Sequence, residues 1–187
     1  MLRLILLRHA KSTWDDPSLL DHDRPLTSRG RKAATRIGDY LREQGTQPDL
    51  VLCSSSVRTR QTLVHLHLDS GIETVFDDAL YRASANDMMK YLGRTGDGAL
   101  SVLLIGHNPG ISDLVGMLTT EPERVGPISA VGLDGRYTAP LPDAESKHAS
   151  SLPTAGLADL RFMIPSWSDI QPGTAVLDHI VMPRNLV

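Results

Sequence analysis

Apolar residues fall along this chain in short runs separated by polar, helix-patterned stretches. Leu2 to Leu7 is aliphatic apart from Arg3 and stops at Arg8. A run of that length suits a strand covered on both faces, as in a parallel sheet. Residues 10 to 26 are polar, with Pro17 and Pro25, and read as a loop. Thr27 then stands as the N-cap of a helix running to about Gln44. Ala34, Ile37 and Leu41 recur on one face of it, and Gly45 suits its C-terminal stop. Leu50 to Cys53 reads as a second strand, about Val57 to Leu68 as a second helix, Ile72 to Phe76 as a third strand and 84 to 94 as a third helix. Ser101 to Ile105 is the clearest interior strand. It leads through Gly106-His107-Asn108-Pro109-Gly110 into an apolar helix from Ile111 to Leu118. From about 121 to 153 the periodicity gives way to Pro, Gly, Ser and Asp, which predicts a long irregular excursion. Leu157 to Ile164 and Ala175 to Met182 read as two closing strands.

Strand, loop and helix repeated in this order predict an α/β fold. The expected form is a three-layer α/β/α sandwich on a mainly parallel central sheet, with one domain spanning 1–187. Composition agrees: 187 residues with 41% apolar and 22% charged positions are ordinary for a soluble globular protein with one core. The net charge of −3 argues against a nucleic-acid or polyanion surface, which needs clustered Lys and Arg. The N-terminal apolar stretch is interrupted at Arg3, is short, and lacks a small-residue cleavage site, so it is not read as an export signal. No run approaches the roughly 20 apolar residues needed to cross a bilayer. A cytoplasmic location without membrane attachment is expected. Cys53, the one cysteine, lies in an apolar run and is read as a small core side chain.

In open α/β sheets ligands bind where strands end and lead into helices. Three such positions carry unusual residues: Arg8-His9 after the first strand, Arg58 after the second, and His107 after the interior strand. Their chemistry suits phosphate. Arginine offers a planar fork of donors that stays charged. A neutral imidazole can attack phosphorus, giving a phosphohistidine that water then cleaves. The second histidine and the arginines would stabilise charge on the equatorial oxygens.

Four segments carry a resemblance to a known family. Leu7-Arg8-His9-Ala10-Lys11-Ser12 resembles the Arg-His-Gly signature of the histidine phosphatase superfamily, in its variant with Ala for Gly. Arg24-Pro25-Leu26-Thr27-Ser28-Arg29-Gly30 is similar to the segment that opens its first helix. Ser54-Ser55-Ser56-Val57-Arg58-Thr59-Arg60-Gln61-Thr62 resembles its second phosphate-binding arginine motif, and Gly106-His107-Asn108-Pro109 its second histidine motif. The Arg-His-Ala-Lys-Ser form, the short length and the ending from Leu152-Pro153-Thr154 through Met182-Pro183-Arg184 resemble the SixA-like branch, the phosphohistidine phosphatases. The resemblance implies His9 as nucleophile, a phosphate cradle of Arg8, Arg58 and His107, and no metal or organic cofactor. Lys11, Ser12 and Asn108 are the further candidates for substrate contact.

The larger members of the superfamily place a carboxylic acid near the pocket. Here Asp77 and Asp78 at a strand end, and Asp15, Asp16, Asp21 and Asp23 in the loop after His9, all stay open. Asn108 after His107 departs from the His-Asp arrangement of the acid phosphatases. A phosphoramidate has a labile P–N bond and needs less acid help, an effect worth about 10²–10⁴-fold on ordinary esters. The expected activity is therefore metal-independent removal of phosphate from phosphohistidine in a protein partner. The alternatives are a small-molecule phosphomonoesterase, a mutase, and a phosphate-binding regulatory module without turnover. His65 and His67, two apart on a helix, point in different directions and are read as structural. Gly30 is read as letting the first helix approach the sheet. Arg60 and the charged positions of the first helix (Arg31, Lys32, Arg36, Asp39, Arg42, Glu43) are read as solvated, and Trp14 and Trp167 as packing residues or pocket-mouth residues.

Overall fold

The computed structural model describes residues 1–96, 98–119, 129–131, 137–140 and 151–186. The elements follow the hydrophobic pattern closely. Strand β1 spans Leu2–Arg8, helix α1 Ser28–Glu43, β2 Leu50–Ser54, α2 Val57–Leu66 and β3 Glu73–Asp77. Helix α3 spans Ala85–Leu92, β4 Ser101–Gly106 and α4 Gly110–Leu118. Strands β5 (Ser129–Val131) and β6 (Tyr137–Pro140) pair antiparallel, so part of the expected irregular excursion is a short hairpin. Of that excursion, 121–128, 132–136 and 141–150 lie outside the described residues. Strands β7 (Leu157–Phe162) and β8 (Ala175–Val181) close the chain.

Six strands form the central sheet in the order β3-β2-β4-β1-β7-β8. The first four run parallel, and β7 and β8 are antiparallel to their neighbours. Residues of β1 alternate between its faces. Leu4 and Leu6 join Val102 and Leu104 of β4 in one core with Met88, Leu92, Ile111 and Leu114 of α3 and α4. Ile5 and Leu7 join Leu103 and Ile105 in a second core with Ala34, Ile37, Leu41 and Leu66 of α1 and α2. Both strands are wholly buried across these positions, which explains their unbroken apolar sequence. Helices on both faces of a mainly parallel sheet make the three-layer α/β fold. No helix among the described residues is long and apolar enough to cross a membrane.

Local signals act as the sequence suggests, with a few shifts. The Thr27 hydroxyl caps α1 by accepting from the Gly30 amide (2.9 Å), and Gly45 takes a positive φ just past its end. Helix α2 stops before Leu68, because His67 turns left-handed. Ser84 and Asp87 form a capping box for α3. Gly30 has a different neighbour from the one expected: a Cβ there would sit 2.1 Å from the Lys11 carbonyl. The glycine therefore seats α1 against the loop after β1, not against the sheet. Trp167 is wholly buried, donating to the Ala99 carbonyl (2.7 Å), and is a packing residue. Trp14 is exposed and stacks on the Arg24 guanidinium. Cys53 is buried, and burial pushes its thiol up to about 12.

Candidate active site

The sheet order sets the carboxyl ends of β2, β4 and β1 side by side, because β4 pairs with both of the others. Arg8 lies in register with Gly106, the residue before His107. The His9 amide donates to the Gly106 carbonyl (3.0 Å), so the chain stays tied to β4 just past the strand. On the other side the Ala155 amide lies 3.1 Å from the carbonyls of both Arg8 and His9. These ties bring the two imidazoles together, with ring centroids 5.1 Å apart. Arg58 follows β2 in the first turn of α2, and its Nη2 lies 3.2 Å from His107 Nδ1. The four residues singled out at three strand ends thus converge on one edge.

The hydrogen bonds fix the tautomers. His9 Nδ1 lies 2.8 Å from the Ala10 carbonyl, which can only accept, so Nδ1 carries the hydrogen and Nε2 the lone pair. Arg58 can only donate, so His107 Nδ1 accepts and its Nε2–H donates to Ser54 Oγ (2.8 Å). Burial, then the charges of Arg58, Arg8 and Arg24, pushes the His9 imidazole down to about 4, against the opposing pull of the Ala10 carbonyl. Burial, then His9 and Arg58, pushes His107 down to about 3. Both rings are neutral at neutral pH. Among the described residues the buried guanidinium Nε atoms of Arg8 and Arg58 have no hydrogen-bond partner. Arg8 is otherwise held by donating to the Leu152 carbonyl (2.7 Å).

Among the described residues the carboxylate that enters this network is Asp21. Its Oδ2 accepts from Arg58 Nη2 (3.0 Å) and from the Tyr81 hydroxyl (2.7 Å), and its Oδ1 accepts from Arg24 Nη1 (2.7 Å). Partial burial would raise its carboxyl, but the Tyr81 and Arg24 hydrogen bonds and the Arg58 charge outweigh that. They hold it well below the usual carboxylate range. Asp21 thus acts as an acceptor that ties Arg58, Tyr81 and Arg24 together. The other carboxylates left open lie elsewhere. Asp77 caps Ala79 and accepts from Tyr91, Asp16 caps Ser18, and Asp15, Asp23 and Asp78 are exposed.

The lesser candidates are placed differently. Ser12 Oγ accepts from Arg24 Nη2 (2.9 Å), so it helps hold the loop. The Lys11 side chain is exposed beside a groove described below. Asn108 donates to the Leu152 carbonyl (3.0 Å) and Ser151 (3.2 Å) and accepts from Ser112 (2.9 Å). Its amide braces the 151–152 segment against α4. Arg60 is exposed over the Phe76 ring. His65 and His67 keep their rings 6.1 Å apart, and no metal-holding group of three or more His, Cys, Asp or Glu occurs among the described residues.

The sequence reading missed Tyr81, named Ser54 and Arg24 only as members of motif segments without a role of their own, and left Asp21 among six carboxylates. Tyr81 obeys the same rule that found the others, since it follows the turn at the carboxyl end of β3. Its ring meets His107 edge-on at 5.4 Å. Arg24 is 7% exposed, and such burial in a polar loop segment has no periodic signal.

Comparison with known proteins adds an independent line. A model of the histidine phosphatase superfamily (branch 1) matches residues 4–91. An uncharacterized Mycobacterium tuberculosis protein is 34% identical over 178 residues, covering 95% of this chain and 100% of that one. Among solved structures, SixA from Nakamurella multipartitia superposes with a TM-score of 0.75 at 26% identity, covering 96% of this chain and 94% of that one. The α-ribazole phosphatase of Shigella flexneri shares the fold alone, with a TM-score of 0.62 at 15% identity over 96% of each chain.

Proposed function

This chain belongs to the histidine phosphatase superfamily, and on that premise we propose that it removes phosphate from phosphohistidine in proteins through a phosphoryl group carried on His9. His9 Nε2, with its lone pair free and its ring neutral, attacks phosphorus. The P–N bond of the substrate breaks and its electron pair stays on the substrate nitrogen; the substrate ring, protonated on its other nitrogen from solvent, leaves as neutral imidazole. Water then attacks the phosphorus on His9, orthophosphate departs, and the ring is restored. Arg8 and Arg58 cradle the transferring group with charged donors, and His107, set by Ser54 and Arg58, lies beside the same oxygens. Asp21 holds Arg58 in place from behind.

The observation that carries this reading is the set of donors around Asp21: its two carboxylate oxygens accept from Arg58, Tyr81 and Arg24 in the network that also holds His107. The site has a nucleophile and an oxyanion cradle, but the carboxylate bonded into it is taken up as an acceptor from three donors. An alkyl ester, whose leaving oxygen is strongly basic, would forgo acid help worth about 10²–10⁴-fold. A phosphoramidate does not depend on it. SixA, whose fold this chain shares, is a protein histidine phosphatase, which supports the same substrate class.

The test is phosphate release from a chemically phosphorylated, histidine-containing protein in the presence of EDTA, with His9→Ala as the blank. Release by the wild type alone, at least tenfold faster than from an alkyl phosphate, is the expected outcome. Equal or faster turnover of the alkyl phosphate would transfer the site to small-molecule esters, and no release above the blank would remove the phosphohistidine assignment.

A further inference from the structure

Beside the site runs a groove of about 520 Å³ between α1, the 153–154 segment and the C-terminal turn. Among the described residues five cations line it, namely Lys11, Arg29, Lys32, Arg36 and Arg184, and no carboxylate does. The chain as a whole carries −3, so this is a strong local reversal. The net charge, an average over the chain, gives no sign of this patch. All five side chains are exposed, and none pairs with a carboxylate among the described residues. Elsewhere on α1 charge is neutralised, as where Arg42 pairs with Asp39. Arg29, Lys32 and Arg36 instead repeat one sign at helical spacing, an arrangement that destabilises an isolated helix. An anionic occupant would relieve it.

The floor of the groove is apolar, with Met182 half-buried and Pro183 buried. An apolar floor inside a charged rim is the anatomy of a protein interface, where Met and Arg are enriched. The cations sit on long exposed stems, which suit steering and registering a surface more than caging a small ion. It is also next to the chemistry. Lys11 is two residues past His9, and Thr154 adjoins Ala155, whose amide bonds the carbonyls of Arg8 and His9.

We infer that this groove is the docking surface for an acidic segment of the protein substrate, lying close in sequence to its phosphohistidine. The inference rests on the phosphohistidine reading above. It is tested with two phosphohistidine peptides of equal length, one flanked by glutamates and one by lysines, beside free phosphohistidine. The expected result is a kcat/KM about tenfold higher for the glutamate peptide at low salt. That advantage should collapse at about 0.5 M salt. The K32E/R36E double variant should lose the preference while turning over free phosphohistidine at the wild-type rate, which also shows that it is folded. Equal rates on both peptides, or a preference that survives in K32E/R36E, would overturn the docking role while leaving the catalytic reading intact.

If none of the phosphorylated probes is hydrolysed, the catalytic reading fails and the groove is judged by binding alone. A dye-labelled, unphosphorylated glutamate peptide should then bind the wild type in a salt-dependent way and K32E/R36E at least tenfold more weakly. Absence of binding, or displacement of the peptide by equimolar tripolyphosphate, would overturn the proposal in favour of no partner or a small polyanion.

Discussion

Arg3 and Arg8 stand at opposite ends of the same strand, and their surroundings differ in one respect. Arg3 meets a built-in counter-charge: its Nε and Nη2 grip both oxygens of Asp159, at 3.0 and 2.6 Å, and Nη2 also donates to Thr46. The Asp159 hydrogen bond raises the Arg3 pKa above its ordinary value, against the opposing effect of burial. Among the described residues Arg8 pairs with no carboxylate and its buried Nε has no partner; it donates to a carbonyl, and its pKa is lowered by burial. A buried donor left unpaired costs about 1–3 kcal/mol. A fold retains that cost where a ligand removes it. The comparison teaches that one residue type in one strand is structural where its counter-ion is built in, and open to a ligand where it is not.

Substitutions at the two ends should separate these roles, and the largest effect belongs to the open end. His9→Ala should lower turnover by about 10⁴-fold or more, since a missing nucleophile removes the covalent path. Steady-state kinetics on the phosphohistidine protein measures it, and residual activity near wild type would remove His9 from the mechanism. Arg8→Ala and Arg58→Ala should each lower kcat/KM by about 10²–10³-fold, with little loss of stability at Arg8. Arg3→Ala should do the reverse. Leaving Asp159 unpaired should cost about 2 kcal/mol of stability by denaturant unfolding, discounted because Arg3 is partly exposed, with kcat/KM unchanged. If Arg3→Ala impairs catalysis as much as Arg8→Ala, the contrast between the two ends does not hold.

Asp21→Asn tests an intermediate case, a carboxylate shared by three donors at the open end. With the charge gone Arg58 is held less firmly, and kcat/KM should fall about tenfold, while KM and kcat shifts show whether binding or turnover suffers. A loss as large as that of His9→Ala would instead make Asp21 a proton carrier.

The smallest effect is on acid stability. His9 and His107 have folded-state pKa values of about 4 and about 3 against 6.5 for an ordinary histidine. The unfolded chain therefore binds more protons below about pH 6.5, so the stabilisation is complete above that pH and is lost as pH falls. The loss is about 1 kcal/mol per histidine between pH 6.5 and 5.5. Urea titrations of wild type and His107→Ala at both pH values should show the shallower slope in the variant. Identical slopes would mean that the ring is not buried neutral.

Much of this was legible in the sequence, and the parts that were not share a cause. The strands and helices follow apolar runs whose period is local, so Leu4 to Leu7 and Val102 to Ile105 announce a strand buried on both faces. The rule that strand ends carry chemistry singled out His9, Arg58 and His107, which the fold brings together at one sheet edge. Asp21 could not be picked from its five rivals, because what distinguishes it is contact with Arg58, Arg24 and Tyr81 across the fold. Asn108 has a motif position that suggested substrate contact, yet its amide is taken up by Leu152, Ser151 and Ser112, partners that sequence spacing does not reveal. The basic groove was hidden for a related reason. Residues from the loop after β1, from α1 and from the C-terminal turn make it, and a net charge averages them with distant carboxylates.

The central claim is that phosphorus passes through His9, and the most direct measurement is to trap it there. Wild type and His9→Ala would be mixed with a ³²P-labelled phosphohistidine protein, quenched in alkaline denaturant within milliseconds to seconds, and the labelled peptide mapped. The account predicts an acid-labile, base-stable label on the peptide containing His9 that rises and decays during turnover, and no label in the variant. Phosphate release by wild type without any label on His9, or equal release by His9→Ala, would contradict it.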